Sequence, residues 1–179
     1  MRTLGAILAG GSSTRFGSDK AEALLDGRRL IDLSIAALAP HCDAIIVVGR
    51  AHPDFGSVAD RPRGGMGPLG GIAGALAAAA EGGFGQLLTA PVDCVRLPPD
   101  LRAVLEPAPA YLAAQPVIGL WPVEALEALD ALLAEGTKLA VRAFGDRVGA
   151  RAVETGFAPP NINSAADLAR LADGNLPAS

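Results

Sequence analysis

Arg15 and Lys20 lie in a run of small residues, Gly10-Gly11-Ser12-Ser13-Thr14-Arg15-Phe16-Gly17-Ser18-Asp19-Lys20. Glycine lets a backbone come close to a ligand, and successive N–H groups in such a turn form a concavity for an anion. With two cations beside that concavity, a polyphosphate is the fitting ligand. The run is not a P-loop, because no Gly-Lys-Ser/Thr closes it. Its plainer reading is a flexible connection. Its place favours the ligand: it follows the apolar stretch Leu4 to Leu8, and open α/β sheets bind ligands beyond the carboxyl ends of their strands.

Two aspartates are placed to complement those cations. Asp93 ends Thr89-Ala90-Pro91-Val92-Asp93, just after a very apolar run. It reads either as a cap for a following helix or as a ligand for a hard cation such as Mg²⁺, which takes one or two carboxylates plus substrate phosphates. Asp60 precedes a second glycine-rich stretch, Arg61-Pro62-Arg63-Gly64-Gly65-Met66-Gly67-Pro68-Leu69-Gly70-Gly71; taken alone it is a turn residue. Within that stretch, Gly65 to Gly70 matches G-x-G-x-x-G. A dinucleotide-binding fingerprint would open the first helix directly after its strand, with an acid about 20 residues on. Here Pro68 interrupts it and Leu88 leads into Thr89, so a nicotinamide oxidoreductase is set aside. Asn161 and Asn163 stand before a helix start, as turn formers commonly do. His41 and His52 have no partner at metal-ligand spacing and read as surface or loop residues, and Trp121 and Tyr111 as packing.

The elements needed to position these residues follow from periodicity. Leu4–Leu8 and Ala44–Val48 read as buried parallel strands, with a helix over Leu30–Leu38 between them. A shorter strand over Ser57–Ala59 ends at Asp60. The second glycine-rich stretch reads as a loop, followed by a helix through Ala80 that stops at Gly82-Gly83. Phe84–Leu88 reads as the next strand and Pro98-Pro99-Asp100-Leu101 as a helix start. Ala23–Asp26 is a short extended piece turning at Asp26-Gly27. Tyr111–Ala114 and Val117–Leu120 are strands, Val123–Ala134 is an amphipathic helix closed by Gly136, and Lys138–Phe144 is another. Arg151–Val153 is an edge strand and Ala165–Leu171 a last helix. The expected arrangement is a single α/β domain over 1–173 with a tail at 174–179.

Composition excludes several classes. With 179 residues, half of them hydrophobic, the chain is globular. A net charge of −4 argues against nucleic-acid or anionic-membrane binding. Two cysteines, Cys42 and Cys94, suggest no disulfide framework, so a reducing cytoplasmic setting is expected. The first apolar run is too short for a signal peptide, and no stretch approaches the roughly 20 residues of a membrane span.

Leu8-Ala9-Gly10-Gly11, Arg15-Phe16-Gly17 and Asp19-Lys20 together resemble the opening signature of nucleotidyltransferases that activate sugars and cofactors. Gly67-Pro68-Leu69-Gly70-Gly71, Ala90-Pro91-Val92-Asp93 and Asn161-Ile162-Asn163 narrow the resemblance to the molybdenum cofactor guanylyltransferase (MobA) family. The chain departs from that family at Val95-Arg96, where Pro-Phe is common, and at Val48-Gly49-Arg50, where the family has a nucleotide-contacting asparagine. It is also shorter between Leu101 and Pro116. The resemblance implies a three-layer, Rossmann-like fold with a mostly parallel sheet. It implies transfer of GMP from GTP to the terminal phosphate of molybdopterin. Leu8, Ala9, Gly10, Gly11, Ser12, Lys20, Asp60, Gly67, Pro68, Leu69 and Gly70 would bind the nucleotide, with Arg15 and Lys20 on its phosphates. Asp93 would hold Mg²⁺, and Asn161 and Asn163 would place molybdopterin. The implied partners are GTP, molybdopterin and other cofactor-biosynthesis proteins, with no nucleic acid and no membrane. A cytidylyltransferase of the same fold, or a GTP-binding protein without catalysis, are the alternatives.

Overall fold

The computed structural model describes residues 1–10, 19–136, 140–157, 162, 167 and 170. Strand β1 (Thr3–Leu8) leads to a small hairpin, β2 (Leu24–Leu25) and β3 (Arg28–Arg29), then helix α1 (Leu30–Leu38), β4 (Ala44–Val48) and β5 (Gly56–Val58). Helix α2 (Gly67–Glu81) and β6 (Gln86–Pro91) follow, then α3 (Leu101–Leu105), β7 (Ala110–Leu112), β8 (Gln115–Pro122), α4 (Ala125–Glu135), α5 (Val141–Arg147) and β9 (Arg151–Val153). Of the last helix, Asp167 and Arg170 are helical; the rest of it, Lys138 and the tail 174–179 lie outside the described residues. No helix among the described residues is long and apolar enough to cross a membrane.

Seven strands form one sheet in the order β5-β4-β1-β6-β8-β7-β9. All are parallel except β8, which runs antiparallel to both β6 and β7. The strand order reverses at β1: the chain first adds β4 and β5 on one side, then returns to add β6 on the other. That reversal opens the crevice where doubly wound sheets take their ligands.

Side chains alternate between two cores. On one face Leu4, Ala6, Leu87 and Trp121 pack under α2, α4 and α5. On the other, Ile7, Val47, Leu88 and Leu120 pack under α1 and α3. Helix α2 carries almost no polar side chain because it lies between the sheet and α4, with ten of its fifteen residues buried. Trp121 stacks on Tyr111, rings 6.2 Å apart, and donates its Nε1–H to Thr89 Oγ1 at 3.1 Å. Both aromatics are thus core residues, as their sequence context suggests.

Besides shifts of one to three residues at other element ends, three boundaries near the site differ from the sequence reading. The segment Gly67–Gly71 is not loop but the first turns of α2. Proline fits the first turn, where its missing N–H leaves nothing unpaired. Gly67 supplies a φ of 64°, and Gly70, Gly71 and Gly74 serve close packing. A methyl on Gly74 would overlap the Ala59 carbonyl oxygen, and one on Gly71 would sit 3.3 Å from both Leu8 Cδ2 and Val48 Cγ1. Strand β6 starts at Gln86 rather than at Phe84, because Phe84 still belongs to the end of α2. Gly83, at φ 68°, turns the chain so that Phe84 N–H reaches the Ala79 carbonyl at 2.9 Å and Gly83 N–H the Ala80 carbonyl at 3.1 Å, a Schellman closure. Finally, β6 runs on through Thr89 and Ala90 to Pro91, paired with β1 as far as Leu8.

Gly74→Ala should therefore destabilise the protein by about 1–3 kcal/mol, the usual range for overpacking, in spite of alanine's higher helix propensity. Chemical denaturation checks this; equal or greater stability would mean that α2 and the β5 end are not in contact.

Candidate functional site

The site forms where β5, β4, β1 and β6 end. Backbone pairing continues one step past the strands. Ala9 N–H donates to the Val48 carbonyl at 3.0 Å, Gly49 N–H to Val58 at 2.9 Å and Val92 N–H to Leu8 at 3.2 Å. The chain turns away at Gly49, whose φ of 83° suits glycine. A Cβ there would lie 2.5 Å from Gly10 Cα, whereas one on Gly10 would be 3.3 Å from Gly49 Cα, so the close approach of the two backbones depends chiefly on glycine at 49.

Above this edge lies a cavity of about 500 Å³, bounded by Gly10, Gly49, Arg50, Ser57, Asp60 and Gly65 among others. That volume lies within the roughly 300–1,000 Å³ of small-molecule sites. A smaller cavity of about 90 Å³ shares Gly10, Asp60 and Gly65 and adds Leu8, Gly67 and Pro68. The structure thus brings Leu8, Gly10, Asp60, Gly67 and Pro68 together from three separate segments. Ala9 lies on the same edge through its bond to Val48. Leu69, in the first turn of α2, is fully buried, and the Gly70 carbonyl accepts from Arg61 N–H at 3.0 Å; both support the wall from behind. Gly11, Ser12, Arg15, Asn161 and Asn163 lie outside the described residues.

Lys20 and Asp93 meet on the neighbouring side of β1. Lys20 opens a 3-10 turn, Lys20–Glu22, capped by Asp19, whose Oδ1 accepts from Ala21 N–H at 3.1 Å. Lys20 Nζ donates to Asp93 Oδ2 at 2.6 Å, and each side chain is only 13% exposed. Breaking a pair this sheltered by removing one partner strands the other charge. Asp93 caps no helix, because α3 begins only after Asp100. It sits in a turn whose backbone is held on several sides. Cys94 N–H donates to the Pro91 carbonyl at 3.0 Å and Val92 N–H to Leu8. The Val92 carbonyl accepts from Ser34 Oγ, on α1, at 2.7 Å. Chemically, the pair offers an ammonium for a phosphate oxygen and a carboxylate for a hard cation.

A second charge network holds the other side of the Lys20 turn. The Arg50 guanidinium donates to Asp19 Oδ1 at 2.8 Å and to Glu22 Oε1 at 3.1 Å. Glu22 lies 3.5 Å from Arg29. Arg29 in turn grips Asp32 with two bonds of 2.7 and 2.8 Å, and His52 Nε2 lies 3.3 Å from Asp32. The Arg50 guanidinium holds the Asp19 carboxyl below its ordinary value against some opposing burial; the Arg29 guanidinium does the same for Asp32. Both carboxylates therefore stay charged throughout the neutral range.

Sequence reasoning missed Arg50 and Ser34. Ser34 carried a signal: it is a hydroxyl on the buried stripe of α1, where a polar group needs a partner. Arg50 follows a strand-ending glycine on the ligand-binding edge. His41 was expected at the surface or in a loop. It lies in the 3-10 turn Ala39–His41, largely buried, and burial lowers its pKa. Cys42 and Cys94 are free thiols pushed up to about 12, chiefly by burial. At neutral pH they are thiols rather than thiolates.

Comparison with known proteins gives a consistent result. The MobA-like NTP transferase domain model matches residues 5–151. A molybdenum cofactor guanylyltransferase of Acidiphilium cryptum (strain JF-5) is 36% identical over 178 residues, covering 90% of each chain. One from Cereibacter sphaeroides (strain ATCC 17029 / ATH 2.4.9) is 37% identical over 187 residues, covering 95% of each. Among solved structures, molybdopterin-guanine dinucleotide biosynthesis protein A from Archaeoglobus fulgidus superposes with a TM-score of 0.75 at 20% identity, covering 95% of this chain and 97% of that one. At that identity the match speaks for the fold.

Ser34→Ala leaves the Val92 carbonyl without its donor. The expected cost is about 1–3 kcal/mol, that of an unsatisfied buried acceptor, read by urea denaturation. A loss below about 0.5 kcal/mol, within ordinary surface-substitution noise, would mean that the Ser34 bond does not fix the turn before Asp93.

Proposed function

This chain belongs to the MobA-like NTP transferase family, and on that premise we propose that it acts as a molybdenum cofactor guanylyltransferase, moving GMP from GTP to the terminal phosphate of molybdopterin. The observation that carries the reading is the Lys20–Asp93 pair, 2.6 Å long, beside a nucleotide-sized cavity at the strand-order reversal.

The reaction joins two polyanions. An oxygen of the molybdopterin phosphate forms a bond to the α-phosphorus of GTP. The bond from that phosphorus to the oxygen bridging to the β-phosphate breaks, and pyrophosphate leaves with the electron pair. The attacking oxygen is already anionic at neutral pH, so no side chain has to take a proton. What the protein must supply is alignment and cancellation of charge.

The residues divide this work. The larger cavity takes the nucleoside, with Asp60 and Gly65 on its wall. Gly10 and Gly49, packed backbone to backbone, let the ligand lie close to the strand ends. Leu8, Gly67 and Pro68 build the remaining wall, backed by Ala9, Leu69 and Gly70, and Gly11 and Ser12 are assigned to the anion cradle from their place in the sequence. Lys20 exchanges Asp93 for a phosphate oxygen, and Arg15 adds a second cation. Asn161 and Asn163 serve the molybdopterin side.

Mg²⁺ suits this donor set. Among the described residues no three His, Cys, Asp or Glu side chains converge to hold an ion on their own. A hard cation that keeps water and binds one carboxylate plus substrate phosphates needs no more than Asp93. When bound there it supplies positive charge to the phosphate oxygens and orients them.

The test is pyrophosphate release by the purified chain. Release is expected with GTP, Mg²⁺ and molybdopterin together, and not when molybdopterin or Mg²⁺ is withheld. CTP and ATP should be at least about tenfold poorer, and Asp93→Asn and Lys20→Ala should each lose roughly a hundredfold or more, as expected for groups acting on developing charge. Preference for CTP, or thermal protection by GTP without pyrophosphate release, would overturn the reading.

A further inference from the structure

Arg50 takes no part in the assignments above, yet it touches both halves of the site. It lines the larger cavity, and its guanidinium bridges Asp19 and Glu22, the N-cap and the last residue of the 3-10 turn that carries Lys20. We propose that Arg50 is a positioning residue: by clamping Asp19 and Glu22 it fixes the turn from which Lys20 reaches Asp93. The cavity wall and the phosphate-handling cation are thereby joined into one unit.

The geometry supports this over a role in stability. A planar guanidinium can satisfy two carboxylates at once and so sets the angle between them. Asp19 Oδ1 accepts from both Arg50 Nη1 and Ala21 N–H, so the contact that binds Arg50 also caps the turn. Glu22 is held from its other side by Arg29, itself fixed to Asp32 on α1. Arg50 in turn leaves β4 immediately after Gly49, whose backbone is locked against Gly10. The Lys20 turn therefore hangs between two rigid elements, α1 and the end of β4. The Asp19 and Glu22 side chains are 54% and 45% exposed, and ion pairs with such partners contribute little to stability. Losing Arg50 should loosen the turn without unfolding the sheet.

The activity arm of the test rests on the guanylyl-transfer reading; the exchange arm does not. In Arg50→Gln, amide hydrogen exchange at Ala21, Glu22 and Ala23 should speed up about tenfold or more while Ala6 and Val47 stay protected. The thermal midpoint should be unchanged. Pyrophosphate release should lose about tenfold in kcat with the KM for GTP within about threefold, and Arg50→Gln combined with Lys20→Ala should be no worse than Lys20→Ala alone. Unchanged exchange at 21–23 would overturn the proposal whatever the activity. So would a raised KM with kcat preserved, which marks direct contact with the nucleotide, or fully additive losses in the double variant. If wild-type protein releases no pyrophosphate, the function reading fails while the exchange result still decides the role of Arg50.

Discussion

A largely buried ion pair between residues seventy-three positions apart is the constraint on which this site depends. Lys20 comes from the segment after β1 and Asp93 from the turn after β6. They meet because β1 and β6 are adjacent and in register, Leu8 opposite Pro91, so that the two chains leave the sheet about 5 Å apart. Each charge neutralises the other where water has little access. Under the proposed function a charged ligand would enter by exchange, its phosphates taking the place of the carboxylate at Lys20 and a cation that of the ammonium at Asp93. Neither side chain need be left as an isolated charge, which would be the costly outcome.

The glycines around the site act by shape. Gly10 against Gly49, Gly71 against Leu8 and Val48, and Gly74 against Ala59 bring helix and strand ends closer than side chains would allow. The end of the second glycine-rich stretch, Gly67–Gly71, is helical because packing outweighs propensity. Each glycine costs a helix up to about 1 kcal/mol relative to alanine, but α2 is buried between the sheet and α4, and its start must sit against the residues leading into Asp60. Of the G-x-G-x-x-G pattern there, Gly65 and Gly67 supply φ values of 81° and 64°, and only Gly70 is packed closely, against Asp60, Arg61 and Met66.

Most of the frame was legible because it depends on local pattern. The β-branched run Ala44–Val48, the apolar spacing of Leu30–Leu38 and the glycine stop after α2 each carry their cause within a few residues. Lys20 and Asp93 were singled out by type and by place after a strand, although their pairing required the sheet order. What was not legible is non-local. Ser34 reads as one polar residue on an apolar stripe until its partner, Val92, is known. Arg50 reads as a surface charge until Asp19 and Glu22 are brought beside it. The cap alternative for Asp93 fails because the helix that would need it starts at Leu101, eight residues further on, and the second glycine run reads as a loop because composition alone cannot see what α2 packs against.

The most direct measurement is a crystal structure of the protein with Mg²⁺ and a GTP analogue whose α–β bridge cannot be cleaved. The account predicts that Lys20 Nζ leaves Asp93 for a phosphate oxygen and that Asp93 faces the metal, with the nucleoside in the cavity walled by Asp60 and Gly65. A nucleotide bound elsewhere, with the 2.6 Å Lys20–Asp93 contact intact, would contradict it.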